Sequence, residues 1–285
     1  MLKDLVITTI SDNYNWVDIK NWIVSLKKTQ YQGDILILAY NFKNDEKGYI
    51  KNLSDLGAII LQPNNDYRGN IIDDFIWHSG MVNPQNANKL IHNVRLFHVW
   101  QYFIENDLKS QYNRIIFTDG RDVVFQTNPT EWLDTNMKKD ILVPSEYVLY
   151  KNQPWNYNNA MINYGPYIFE YILKDKPVCN VGTFAVTSSM CSDLCLTLYL
   201  MSNNIGHADQ PSFNILTNTL LKDKCQWVDY NDSWALQIGA IIDDINSISY
   251  LKDGVVFSTK TNLPYCLVHQ YDRVSEYKNY FDNEI

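Results

Sequence analysis

A chain of 285 residues, 46% hydrophobic and 20% charged, buries enough apolar surface for a large α/β domain, which excludes a disordered polypeptide. A net charge of -8 and a pI near 5.1 exclude a general nucleic-acid binder, because phosphate contacts need a basic face. An anionic ligand would have to be neutralised locally, by a metal ion or a few placed cations.

Leu5 to Ile10 (LVITTI) reads as a buried strand that ends at Ser11-Asp12-Asn13. Trp16, Ile19, Trp22, Ile23 and Leu26 recur at helical spacing behind it. Gly33-Asp34 precedes a second strand, Ile35 to Tyr40; Lys43 to Leu56 is polar enough for a solvated helix, and Ala58 to Gln62 makes a third strand. Strand, helix, strand, helix, strand opens a doubly wound nucleotide-binding fold, yet no Gly-rich phosphate fingerprint follows the first strand. Pro63 to Gln85 has the composition of a long functional loop. A helix is expected from Asn88 to Asn106, with Leu90, Val94, Phe97 and Ile104 on one side; Arg95 near its middle reads either as a site residue or as a solvated charge.

The stretch Arg114 to Pro129 organises the rest. Ile115 to Phe117 is a short apolar strand, and Asp119-Gly120-Arg121-Asp122 must break to the surface, since two carboxylates and a guanidinium do not stay in a core. Val123 to Phe125 is apolar again, and Asn128-Pro129 closes the segment with a turn. Thr130 is expected to cap a helical turn through Leu133, and Ile141 to Val143 to form another strand. Tyr147 to Tyr167 mixes tyrosines and Trp155 with five asparagines in a loop-like stretch; rings stack on sugar faces and amides meet hydroxyls, so Trp155 and Tyr157 are candidate acceptor contacts. A polar loop from a Tyr- and Asn-rich composition is the plainer alternative.

Asn180-Val181-Gly182 precedes a strand through Val186, and Cys191, Leu194, Cys195 and Leu198 share one helix face, where the two cysteines, four apart, are read as core packing in preference to a metal pair. A second helix follows Gly206-His207-Ala208-Asp209-Gln210, with Pro211 in its first turn; Asp209 reads as a helix cap or as a reacting carboxylate. Trp227 to Thr259 reads as short strands and turns, and His269 ends an apolar tripeptide. Five cysteines, an odd count, and a first ten residues without an apolar targeting segment point to reduced thiols in a soluble, cytoplasmic protein. Arg95, Arg121 and Arg273, three of five arginines, lie beside the polar stretches, as phosphate neutralisation requires. Asp119 and Asp122 would repel each other without a hard divalent cation, and a nearby histidine favours Mn²⁺ over Mg²⁺. A single histidine is also commonly structural.

The segment FTDGRDVVFQTNP resembles the metal-binding signature of nucleotide-sugar glycosyltransferases with the GT-A fold, especially the group reading Asp-Ser-Arg-Asp-Val-Val-Phe-Gln. Asn180-Val181-Gly182 resembles that family's donor-sugar turn, Asp209-Gln210 its acidic pair near the reacting carbon, and His269 its C-terminal metal histidine. The likeness runs from Leu5 to Arg273. It implies a GT-A fold, a Rossmann-like mixed sheet flanked by helices in a single domain, with a nucleotide-binding half over residues 1–128 and a donor-sugar and acceptor half over 129–285. It implies transfer of a hexose or deoxyhexose from a uridine diphosphate sugar to a glycan or other hydroxyl acceptor. Thr9, Ser11, Asp12, Asn13, Arg95, Asp119, Gly120, Arg121, Asn180 and Gly182 would then meet the donor. Asp119, Asp122 and His269 would hold Mn²⁺ or Mg²⁺, and Asp209 and Gln210 would be catalytic. Here the carboxylates are three apart with Arg121 between, which leaves open which oxygen meets the metal directly. The C-terminal histidine favours retention of configuration, by analogy alone. A Mg²⁺-dependent phosphohydrolase and a non-catalytic carbohydrate-binding module are the rival readings.

Overall fold

The computed structural model describes residues 2–42, 45–63, 91–202 and 207–285. Three parallel strands open the chain: β1 (Lys3–Ser11), β2 (Asp34–Tyr40) and β3 (Ile59–Leu61). Helix α1 (Trp16–Lys28) joins the first two, and α2 (Tyr49–Asp55) precedes the third. Helix α3 (Ile91–Glu105) leads into β4 (Tyr112–Phe117), which pairs in parallel with β1 on the side away from β2. Then come β5 (Val123–Phe125), α4 (Pro129–Asn136), β6 (Ile141–Leu149), α5 (Pro154–Ile168), β7 (Pro177–Cys179), β8 (Ala185–Thr187), α6 (Ser188–Met201) and α7 (Asp209–Asn218). The remainder is β9 (Cys225–Val228), β10 (Ala235–Gln237), α8 (Ile245–Ile248), β11 (Ser249–Lys252), β12 (Val255–Ser258), β13 (Leu267–His269) and α9 (Ser275–Glu284).

The main sheet has the order β3-β2-β1-β4-β8-β6-β7, with β9 also paired to β6. It is mixed, because β8 runs antiparallel to both β4 and β6. A smaller sheet, β10-β13-β5, and the hairpin β11-β12 complete the sheets among the described residues.

Strands in this sheet are apolar at successive positions because both faces are covered. Val6, Ile35, Ile37 and Ile116 pack with Trp22, Ile23 and Leu26 of α1. Leu5, Ile7, Leu36, Leu38 and Ile115 face the other way, onto Leu96, Val99 and Phe103 of α3 and Leu194, Cys195 and Leu198 of α6. All five thiols are buried and free. Among the described residues no helix is long and apolar enough to cross a membrane.

Several local expectations need correction. Helix α2 begins only at Tyr49, because Gly48 sits at φ 67, outside helical space; residues 43 and 44 lie outside the described set. Asn128, not Thr130, caps α4: its side chain accepts from Thr130 N at 3.0 Å, and Pro129 takes the first helical position. Strand β6 runs on to Leu149. The Tyr- and Asn-rich stretch is not a loop but mostly α5, capped by Gln153, started at Pro154 and kinked at Gly165 (φ 74) before Pro166. The expected loop from Pro63 to Gln85, apart from Pro63 itself, the first residues of the Asn88 to Asn106 helix, and Gly206 fall outside the described residues.

Candidate active site

Strand β1 lies between β2 and β4, so the segments leaving β1 and β4 part and open a crevice at the carboxyl ends of the strands. Thr9, Ser11 and Asn13 line a cavity of about 400 Å³ there, together with Tyr14, Arg95, Asp119, Gly120, Arg121 and Asp122. Asp12 is exposed beside it, its carboxylate accepting from Ser11 Oγ at 3.3 Å, and does not line it. A second cavity of about 330 Å³ shares His92, Arg95, Asp119 and His207 with the first. Its further lining includes Glu146, Trp155, Asn180, Gly182, Asp209, Gln210, His269 and Arg273.

The Asp-Gly-Arg-Asp segment is held from both sides. Trp22 Nε1 of α1 donates to Thr118 Oγ1 at 2.8 Å, and Asp119 N donates to Gly182 O at 2.9 Å. Asn180 Oδ1 accepts from Gly182 N at 2.7 Å, closing the turn. Gly182 is required by close approach: a Cβ there would lie 2.5 Å from Asp119 Oδ2. Gly120 is similarly tight, since a Cβ would lie 2.8 Å from Thr9 O.

Antiparallel pairing of β13 with β5 sets His269 opposite Val123, beside Asp122. His269 Nε2 lies 3.4 Å from Asp119 Oδ2 and 3.6 Å from Asp122 Oδ1. One ligand atom from each of the three residues falls within 4.8 Å of the others. On the far side of the ring, His269 Nδ1 lies 2.7 Å from Gln237 Oε1, while Gln237 Nε2 donates to Thr183 Oγ1. The Gln237 carbonyl can only accept, so Nδ1 carries a hydrogen and Nε2 is the atom turned to the carboxylates. That Nε2 is buried and has no hydrogen-bond partner. Two carboxylates and an unpartnered imidazole nitrogen at one point fit Mn²⁺ or Mg²⁺.

The three groups shift one another's ionisation. Burial alone would raise the Asp119 carboxyl, but the nearby His269 ring and the Arg95 charge hold it well below the usual carboxylate range. Burial pushes Asp122 up, and neighbouring Asp119 adds to this. Burial would lower His269, yet the Asp122 and Asp119 carboxylates carry it above its ordinary value.

Arg95 is not a solvated helix charge. Burial opposes its ionised form, but Asp209 and Asp119 more than offset that. Its Nη1 lies 3.2 Å from Asp119 Oδ1 and its Nη2 2.9 Å from Asp209 Oδ2, which ties the two cavities together. Asp209 is the first residue of α7 rather than its cap, and its Oδ1 accepts from Gln210 N at 2.9 Å. Arg121 pairs with Asp122 at 3.2 Å and Asp272 at 3.4 Å at the edge of the first cavity.

Trp155 opens onto the second cavity and sets its ring 5.6 Å from that of His207. Tyr157 does not line it, because it stands edge-on against Phe169 at 4.8 Å on another side of α5. The sequence reading missed Tyr14, His92, Glu146, His207 and Gln237. Tyr14 lies next to the polar Ser-Asp-Asn triplet, and burial with the nearby Asp119 charge pushes its phenol up to about 12. Glu146 had one signal, a carboxylate inside a largely apolar strand. Gln237 had none, since its place follows from β10 meeting β13.

No family model matches the chain, and no curated protein matches its sequence. Solved structures do resemble it. The bifunctional glycosyltransferase WbbM in its apo form superposes with TM-score 0.58 at 13% identity, over 99% of this chain and 49% of that one. An active-site mutant of LgtC gives 0.53 at 11% identity, over 93% and 86%. Mouse xyloside xylosyltransferase 1 gives 0.50 at 11%, over 94% and 97%. The likeness is one of fold: a central mixed sheet flanked by helices, of the GT-A type.

Proposed function

We propose that this chain is a metal-dependent glycosyltransferase that moves a hexose or deoxyhexose from a nucleotide diphosphate sugar, a uridine one by resemblance, to a hydroxyl of a glycan acceptor. One observation carries this reading: the buried, unpartnered Nε2 of His269 aimed between Asp119 and Asp122 where two cavities meet. The glycosyltransferase folds to which the chain is similar support it.

The first cavity would take the nucleotide, with Tyr14 offering a ring face and Ser11 and Asn13 polar contacts. Asp119, Asp122 and His269 would hold Mn²⁺ or Mg²⁺, which supplies charge neutralisation at the diphosphate when bound. Arg121 at the rim of one cavity and Arg273 in the other would add positive charge where the leaving group gathers negative charge. The sugar would lie in the second cavity, against the Asn180-Gly182 turn and Gln210, and Trp155 would stack on the acceptor.

Asp209 has both oxygens committed, Oδ2 to Arg95 and Oδ1 to Gln210 N. A carboxylate so engaged is poorly placed to take a proton from the acceptor. It suits the steadying of positive charge at the sugar ring, which favours retention over inversion.

A thermal-shift panel of uridine diphosphate sugars with and without Mn²⁺ tests the reading. A donor at about 100 times its Kd should add about 2.7 kcal/mol of stability, and only when Mn²⁺ is present. Equal shifts with and without the metal, or none for any nucleotide sugar, would overturn it.

A further inference from the structure

Glu146 stands near the end of β6, 7% exposed, and opens onto the second cavity. Its hydrogen-bond partners among the described residues are three side-chain amides from three other parts of the chain. Asn180 Nδ2 donates to Oε1 at 2.6 Å and Gln210 Nε2 to the same oxygen at 3.4 Å; Asn156 Nδ2 donates to Oε2 at 3.4 Å. A carboxylate accepts and never donates, so each amide must turn its NH₂ toward Glu146. That choice fixes where each carbonyl points. Asn180 Oδ1 receives Gly182 N at 2.7 Å, and Asn156 Oδ1 receives Gln210 Nε2 at 2.7 Å. Gln210 thus has its nitrogen engaged by both Asn156 and Glu146, while no described residue donates to its Oε1. The residue lines the cavity, so this oxygen is the group left for a ligand.

A buried carboxylate surrounded by amides is a costly way to fill space, and a neutral side chain of the same size would be cheaper to bury. What a neutral amide lacks is the ability to dictate the orientation of its neighbours. We propose that Glu146 is a positioning residue that sets the polarity of three amides, so that Gln210 presents its carbonyl oxygen rather than its NH₂ to the sugar. This rests on the glycosyl-transfer reading. As the bond from the ring carbon to the diphosphate oxygen breaks, positive charge grows on the sugar ring; the negative end of a carbonyl dipole stabilises that charge, whereas an NH₂ would oppose it. The benefit is realised as the bond breaks, so it belongs to turnover more than to donor binding.

Two readouts test the proposal. The first needs no substrate: NMR of the Gln210, Asn180 and Asn156 side-chain amides in the Mg²⁺-supplemented protein. The Gln210 NH₂ should exchange slowly in the natural chain and lose that protection in Glu146→Gln. The second uses the nucleotide sugar selected by the thermal-shift panel. Glu146→Gln should lower kcat on the order of tenfold with donor KM little changed, and should cost nothing further in a Gln210→Ala background, because it acts through Gln210. A merely structural glutamate would lower stability and give losses that add. Should Glu146→Gln fail to fold, Asn156→Leu removes the middle strut and should show the same loss of Gln210 protection and the same kcat-selective effect. Unchanged Gln210 exchange in a folded variant, or additive kcat losses, overturns the proposal. If the natural chain turns over no nucleotide sugar, glycosyl transfer fails as a reading, and the amide exchange alone decides whether Glu146 sets the three orientations.

Discussion

Replacing Gln237 with leucine should weaken the cation site without touching any proposed ligand. Gln237 is fully buried, and its Oε1 is the partner of His269 Nδ1 at 2.7 Å. Leucine keeps the volume but leaves the Nδ1 hydrogen in a dry place with nothing to meet, which should cost about 1–3 kcal/mol of folding stability. It also frees the ring to rotate or to change tautomer, so Nε2 is no longer turned reliably toward Asp119 and Asp122. Removing a partner of this kind typically lowers metal affinity about 10–100-fold, equivalent to about 1.4–2.7 kcal/mol. Calorimetric titration of Mn²⁺ into both proteins, with urea unfolding of each, separates the two effects. A variant that is less stable yet binds Mn²⁺ as tightly as the natural chain would show that the histidine is oriented by something else, and the argument from Gln237 would be wrong.

Gly182→Ala should be folded but defective in donor binding, because its new methyl group would sit 2.5 Å from Asp119 Oδ2 and push that carboxylate aside; Mn²⁺-dependent donor affinity reads the effect. Arg95→Met leaves Asp209, with 6% of its side chain exposed, without its cation, and should cost about 3–5 kcal/mol in urea unfolding. Trp155→Ala should raise acceptor KM while leaving donor KM alone. Tyr157→Ala should do neither and instead lower the melting temperature, since its ring is packed edge-on against Phe169.

Much of the first part of the chain was legible because its signals are local. The apolar runs of β1, β2 and β4 and the helical spacing of Trp16 to Leu26 depend on neighbours within one element, and the structure keeps them. Helix α5 was not legible: Gly165, Pro166 and many asparagines argue for a loop, and what overrides them is tertiary. Asn156, Ala160 and Asn163 are buried at helical spacing, and Asn156 joins the Glu146 network. Arg95 was singled out for its scarcity, but its two carboxylate partners come from a loop after β4 and from α7, which no local pattern brings together. Glu146 and Gln237 escaped for the same reason. Gln237's role comes from two strands meeting and Glu146's from two helices and a turn closing on one strand, and a sequence read in one direction carries little trace of either.

The short ladder between β5 and β13 has a consequence for how the chain holds together. Asp122 enters from early in the sequence and His269 from late, so an ion gripped by both would act as a bolt across the seam. Its binding energy would count toward closing that seam, as it does wherever a site forms only on folding. Stripping divalent ions with a chelator should therefore loosen Leu267 to His269 before the β1-β2 ladder, and the order in which those amides lose deuterium protection would record it.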